Sequence, residues 1–269
     1  MLMNNENIII AFALSTIAGL STGFGSFIAL ISKKNNTAFL SLSLGFSAGV
    51  MLFISFVDIF PKANTILAES FDASLAYKYT MLAFFVGMLF TYLIDKLIPS
   101  YKNPHKGHLA QEIDEVPDNT FLYRIGVFTA IAITIHNFPE GMVTFAGYLA
   151  DPKMGITLTI AIALHNIPEG IAVAIPIYYS TGSKKKAFWF SFLSGLSEPL
   201  GAIFSYYILG QFNSEATLGF LFAGVGGVMV YISLEELIPT SRIYDKSNLS
   251  LIGLFSGMLV VAISLVFIN

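Results

Sequence analysis

The chain has 269 residues, 55% of them hydrophobic and only 12% charged, with a mean hydropathy of +0.73. Soluble domains carry about 25% charged residues, so the composition excludes a water-soluble globule and reads as a single membrane-embedded domain, residues 1–269. The net charge of −3 gives no reason to expect a nucleic-acid partner, and the lack of cysteine excludes disulfides and thiolate metal sites.

The first residues, Met1 to Asn7, are polar and lack a basic n-region. The apolar run after them is too long for a signal-peptide core and has no clear cleavage site, so it reads as a first membrane span. Runs of about 20 apolar residues, enough to cross a bilayer, recur at 8–31, 38–60, 79–98, 121–148, 154–179, 187–209, 217–239 and 249–268. None alternates with period two, so the spans are helices. The expectation is an all-α membrane protein with eight transmembrane helices, multi-pass in the cell (inner) membrane.

Lys33, Lys34, Lys96, Lys102, Lys106, Arg124, Lys184, Lys185, Lys186, Arg242 and Lys246 fall on one side of such a topology. Only Lys62, Lys78 and Lys153 fall on the other. The positive-inside rule puts both termini outside the cytoplasm. The longest loop, 99–120, is then cytoplasmic. It carries Pro104, Gly107 and Pro117, as a flexible segment does, and reads as a plain solvated loop, against the alternative that His105 and His108 catch a metal ion transiently.

The chain repeats itself. Gly49-Val-Met-Leu-Phe-Ile-Ser-Phe-Val-Asp-Ile-Phe-Pro61 matches Gly227-Val-Met-Val-Tyr-Ile-Ser-Leu-Glu-Glu-Leu-Ile-Pro239. Gly19-Leu-Ser-Thr-Gly-Phe-Gly25 matches Gly195-Leu-Ser-Glu-Pro-Leu-Gly201, and Phe85-Val-Gly-Met-Leu89 matches Phe255-Ser-Gly-Met-Leu259. Spans one to three thus recur as six to eight, five helices later. Five is odd, so the second copy enters the membrane from the opposite side. The result is a 3+2+3 inverted repeat: repeat one at 8–98, a central pair at 121–179 and repeat two at 187–268. Inverted repeats around a polar site near midplane are a transporter architecture.

The central pair carries two near-identical polar hexads, His136-Asn137-Phe138-Pro139-Glu140-Gly141 and His165-Asn166-Ile167-Pro168-Glu169-Gly170. Such side chains are costly in hydrocarbon and mark function there. Polar glue between helices would account for an Asn or a His, but poorly for two matched Glu. On a helix, His136 and Glu140 share a face and Asn137 lies three residues from the same Glu. Two antiparallel helices crossing here can surround one ion with His136, Glu140, His165 and Glu169. A second ion can sit among Asn137, Glu140, Asn166 and Glu169, the two Glu bridging. Imidazole and carboxylate suit Zn²⁺ and Fe²⁺, while oxygen-richer sets suit Fe²⁺, Mn²⁺ or Cd²⁺. Pro139 and Pro168 free the carbonyls of Ile135 and Leu164 and kink both helices, and Gly141 and Gly170 let neighbours approach.

Glu198, in Ser197-Glu198-Pro199, is a third buried carboxylate, an extra ligand or a proton carrier. Asp58 reads as an entrance acid and Glu235 or Glu236 as exit acids, against the alternative that all three are interfacial acids at helix ends.

At these residues the sequence resembles the ZIP (Zrt/Irt-like) metal transporter family, especially its bacterial branch. The hexads, the Ser-Glu-Pro of span six and the Glu-Glu-Leu-Ile-Pro of span seven carry the resemblance, over nearly the whole chain. It implies divalent metal uptake into the cytoplasm, zinc first, with Fe²⁺, Mn²⁺, Co²⁺ or Cd²⁺ as further substrates and no resident cofactor. It also implies one metal site of His136, Glu140, His165 and Glu169 and a neighbour adding Asn137, Asn166 and Glu198. The 99–120 loop resembles the family's histidine-bearing loop but with two histidines only. Partners are then metal ions and the lipid bilayer, with a homodimer left open. An intramembrane binuclear metalloenzyme and a metal-selective channel are the competing readings. The enzyme leaves the repeat unexplained, and the channel differs only in unsaturated flux without proton coupling.

Overall fold

A computed structural model of the chain describes residues 4–31, 37–97, 119–211, 215–243, 245 and 247–268. His105 and His108 lie outside them. Among the described residues all regular structure is helical. In chain order the helices are α1 (Asn5–Ile31), α2 (Thr37–Ile54), α3 (Phe60–Ala68), α4 (Ala73–Leu97), α5 (Asn119–Ala150), α6 (Pro152–Thr181), α7 (Lys184–Gly195), α8 (Ser197–Gln211), α9 (Glu215–Ile232), α10 (Ile238–Ile243) and α11 (Leu249–Ile268). Six stretches are long and apolar enough to cross a membrane: Asn5–Ile31, Ala38–Ala68, Ala73–Lys96, Pro152–Thr181, Ala216–Ile243 and Leu249–Val266.

The two remaining expected spans, 121–148 and 187–209, are also helical. The first lies within the continuous helix α5. The second is broken at Leu196 into α7 and α8. Pro199 has no N–H to offer the carbonyl of Gly195, which weakens the α ladder beside the break. The break sets Glu198 in the first turn of α8.

The matched prolines of spans two and seven do not end their helices. Residues Ser55–Ile59 and Ser233–Leu237 form single π-helical turns that link α2 to α3 and α9 to α10. In each, the residue before the proline donates its backbone N–H five residues back, Phe60 to Ser55 and Ile238 to Ser233. The serine hydroxyl in turn donates four residues back, Ser55 to the Met51 carbonyl at 2.6 Å and Ser233 to the Met229 carbonyl at 2.7 Å. A π turn relieves the clash a proline would make in a regular α ladder. The continuous segments therefore run 31 and 28 residues, and Asp58, Glu235 and Glu236 lie inside them rather than at their ends.

Packing follows glycine. In lipid, helices associate through close van der Waals contact at small residues. A Cβ on Gly49 of α2 would strike the carbonyl of Leu254 in α11, and one on Gly257 of α11 would strike that of Phe46 in α2. The equivalent residues repeat the pattern between α9 and α4, where Gly227 abuts the Phe84 carbonyl and Gly87 that of Gly224. Gly25 of α1 abuts Ile167 of α6, and Gly170 of α6 abuts Thr22 of α1. Their counterparts join α8 to α5: Gly201 to Phe138 and Gly141 to Glu198. Outward faces are apolar, among them Leu82, Phe85, Leu89 and Phe90 of α4 and Leu251, Phe255 and Leu259 of α11. A band this wide marks contact with lipid.

The α5–α6 connection is one residue. Asp151 caps α6 by accepting from the Lys153 N–H at 3.1 Å, and Pro152 opens the helix where its missing N–H costs nothing. The two hexad helices are therefore an antiparallel hairpin, and α6 is the most enclosed of the membrane-length helices.

Candidate metal centre

His136, Asn137, Glu140, His165, Asn166, Glu169 and Glu198 are all fully buried. The hexads pair across the hairpin rather than along each helix. His136 Nε2 lies 3.0 Å from Glu169 Oε2, and His165 Nε2 lies 3.2 and 3.3 Å from the two Glu140 oxygens. Each Glu thus answers the other helix's His, where spacing alone suggested its own. Pro139 and Pro168 sit inside continuous helices.

The asparagines face outward from this cross toward α1, α7 and α8. Asn137 Nδ2 donates to the Ser194 carbonyl at 3.5 Å, and Asn166 Nδ2 donates to the Ala18 carbonyl at 3.0 Å and to Glu198 Oε1. Ser15 Oγ donates to the carbonyls of Glu198 and Gly141 at 3.2 and 3.4 Å. Its counterpart Ser191 donates to those of Thr22 and Gly170 at 3.1 and 3.2 Å. Glu140 and Glu169 both act electrostatically on Glu198, so the three carboxylates share one region of the interior.

Ser47 of α2 joins the site and sequence reasoning passed it over. Its hydroxyl donates to Glu169 Oε1 at 3.2 Å. Its position in repeat two is held by Val225, so the repeat carried no signal for it.

The pathway acids fare differently. Asp58 is buried and ion-paired to Lys62 at 2.8 Å. Glu235 is exposed and Glu236 half-buried.

Among the described residues no three His, Asp or Glu side chains stand together as a ready cage for a metal; the site is a set of crossed pairs. The donor chemistry nevertheless suits one. Nine buried side-chain N or O atoms lack a hydrogen-bond partner among the described residues, and five of them are here: His136 Nδ1, His165 Nδ1, Asn137 Oδ1, Asn166 Oδ1 and Glu198 Oε2. Buried polar atoms are nearly always satisfied, and imidazole nitrogens, amide oxygens and carboxylates are the ligand types a borderline divalent ion takes.

The sequence model of the family described as ZIP Zinc transporter matches residues 6–120 and 102–265. The chain is 51% identical over 273 residues to the protein named Zinc transporter ZupT of Nitratidesulfovibrio vulgaris, covering 98% of this chain and 99% of that one. It is 52% identical over 261 residues to the Zinc transporter ZupT of Streptococcus mutans, and 51% identical over 263 residues to that of Lysinibacillus sphaericus, each covering 97% of this chain and 98% of the relative.

Proposed function

The chain belongs to the ZIP zinc transporter family, and from that premise we propose that it carries zinc across the cell membrane into the cytoplasm through the buried hexads. Members of this family are transporters, not enzymes, so the metalloenzyme reading falls. The observation that carries the site is the crossed His–Glu arrangement ringed by five unsatisfied buried donors. Zinc, the substrate, enters as the histidines and carboxylates give up protons, because only deprotonated groups ligate. Glu140 and Glu169 bridge two ion positions, one with His136 and His165, the other with Asn137, Asn166 and Glu198. Fe²⁺, Mn²⁺, Co²⁺ and Cd²⁺ compete for the same donors.

Transport is by alternating access in a single domain of eight spans, arranged 3+2+3 with both termini extracytoplasmic: repeat one at 8–98, the central pair at 121–179 and repeat two at 187–268. The mirrored glycine contacts support this reading: Gly49 and Gly257 in one half are answered by Gly227 and Gly87 in the other, and Gly25 and Gly170 by Gly201 and Gly141. They also sort the helices into two groups. Backbone-to-backbone contacts tie α1 to α6 and α7 and tie α5 to α8, and others tie α2 to α11 and α4 to α9. No glycine makes such a contact between the groups among the described residues, so the hexads can move against α2, α4, α9 and α11. Asp58 is then an entrance acid and Glu236, with Glu235, an exit acid. A homodimer is the assembly to test.

Zinc uptake by proteoliposomes tests the assignment. Glu140→Ala and Glu169→Ala should each abolish saturable uptake; wild-type uptake in both removes the site.

A further inference from the structure

The twofold pattern around the hexads fails at Glu198 as well as at Ser47. In repeat two, Glu198 lies against α1: its Cβ is 3.3 Å from where a Cβ on Gly19 would sit, and its carboxylate takes the Asn166 amide. In repeat one the same position is Thr22. Its Cβ and Oγ1 lie 3.0 and 3.1 Å from where a Cβ on Gly195 would sit, beside the Ser194 carbonyl that takes the Asn137 amide. Thr22 is fully buried and its Oγ1 has no hydrogen-bond partner.

Helical Thr hydroxyls elsewhere in the chain donate four residues back, as Thr16, Thr80, Thr91 and Thr134 do. For Thr22 that acceptor would be the Ala18 carbonyl, which already takes the Asn166 amide and the Ser21 hydroxyl. The hydroxyl is thus buried and unpaired, against Gly195; the neighbouring Ser194 carbonyl takes the amide of Asn137, whose own Oδ1 is unpaired. A buried orphan of this kind needs a reason, and packing supplies none, because Val would fill the same space.

We propose that Thr22 is a further oxygen donor to the transported ion on the Asn137 side of the site, the neutral counterpart of Glu198 on the Asn166 side. The inference rests on the reading of the hexads as a metal site. It makes the two sides unequal: an ion leaning toward Asn166 meets a carboxylate, and one leaning toward Asn137 meets a hydroxyl. The substrate is a divalent ion that accepts mixed nitrogen and oxygen donors, with zinc as the probe.

The test uses the full-length protein in detergent, with zinc affinity from calorimetry and melting temperature with and without zinc. Thr22→Val, isosteric but without the hydroxyl, should weaken zinc binding roughly 5–10-fold, the effect of one lost hydrogen-bond-strength contact. Its metal-free melting temperature should hold or rise, because an unsatisfied polar atom has gone. Thr22→Ala should show the same affinity loss, and Thr22→Ser, which restores the hydroxyl, should regain most of it. Zinc affinity within twofold of wild type in both Thr22→Val and Thr22→Ala overturns the inference while leaving the hexad site standing. A wild-type protein that shows no zinc-dependent stabilisation overturns both.

Discussion

The crossing of the hexads makes a prediction that helix spacing alone would get wrong. In the metal-free protein, His136 should couple to Glu169 and His165 to Glu140, each across the hairpin. The i,i+4 pairs His136 with Glu140 and His165 with Glu169 should couple weakly. The contacts are 3.0 Å in the first crossed pair and 3.2 Å in the second, with every group buried. A hydrogen bond to a charged group contributes about 1.5–3 kcal/mol net, within the range that double-mutant cycles report for residues in contact. Thermal melting in detergent with a chelator, on Ala single and double mutants of all four pairs, measures it. The crossed pairs should give coupling of about 1.5–3 kcal/mol, or roughly 3–12 °C of non-additivity for a chain of this size. The same-helix pairs should give less than half of that. Equal coupling in both sets, or larger coupling along the helices, refutes the crossed geometry and with it the proposed bridging role of the two Glu.

Two further perturbations follow from contacts outside the cross. Gly141→Ala would bring its Cβ to 2.5 and 2.6 Å from the Glu198 carbonyl carbon and Cα, and Gly170→Ala would meet the Thr22 carbonyl carbon at 2.8 Å. Each should destabilise by about 1–3 kcal/mol, seen as a lower melting temperature, and Gly141→Ala should also weaken zinc binding because it pushes Glu198 outward. Asp245 accepts backbone N–H bonds from Ser247 at 3.0 Å, Leu249 at 2.9 Å and Ser250 at 3.3 Å, which hold its carboxyl below the usual carboxylate range. A depressed carboxyl contributes stability above its unfolded value near 4 and loses it as pH falls through the folded one. Asp245→Ala should therefore melt lower than wild type at pH 7, with the gap closing as the pH drops below about 4.

Much of the site was legible because it is repeated. The hexads and the three-helix repeat are visible as recurring strings and Glu198 as an acid inside an apolar run, and all the residues so named in the candidate site are buried. Partner choice was not legible, because i,i+4 spacing brings His136 and Glu140 together on one helix while the contact that forms lies on another. The prolines at 61 and 239 read as helix ends because a proline normally disrupts the α ladder, but a single π turn absorbs each. Ser47 carried no signal because its counterpart is Val225. Thr22 was hidden by its own ordinariness, since a helical Thr usually satisfies itself on the backbone.

The one-residue turn at Asp151 has a consequence for chain length. Both crossed pairs, His136 with Glu169 and Glu140 with His165, are centred on the same point of the chain, between Pro152 and Lys153. The hairpin therefore acts as a ruler that sets which hexad residues share a depth. One residue inserted or deleted between Gly141 and Leu164 would move one hexad by about 1.5 Å along its axis and turn it by about 100°. No side chain in either hexad would have changed, yet both pairs would be broken. The spacing between the hexads is therefore as much a determinant of the metal centre as the residues that compose it.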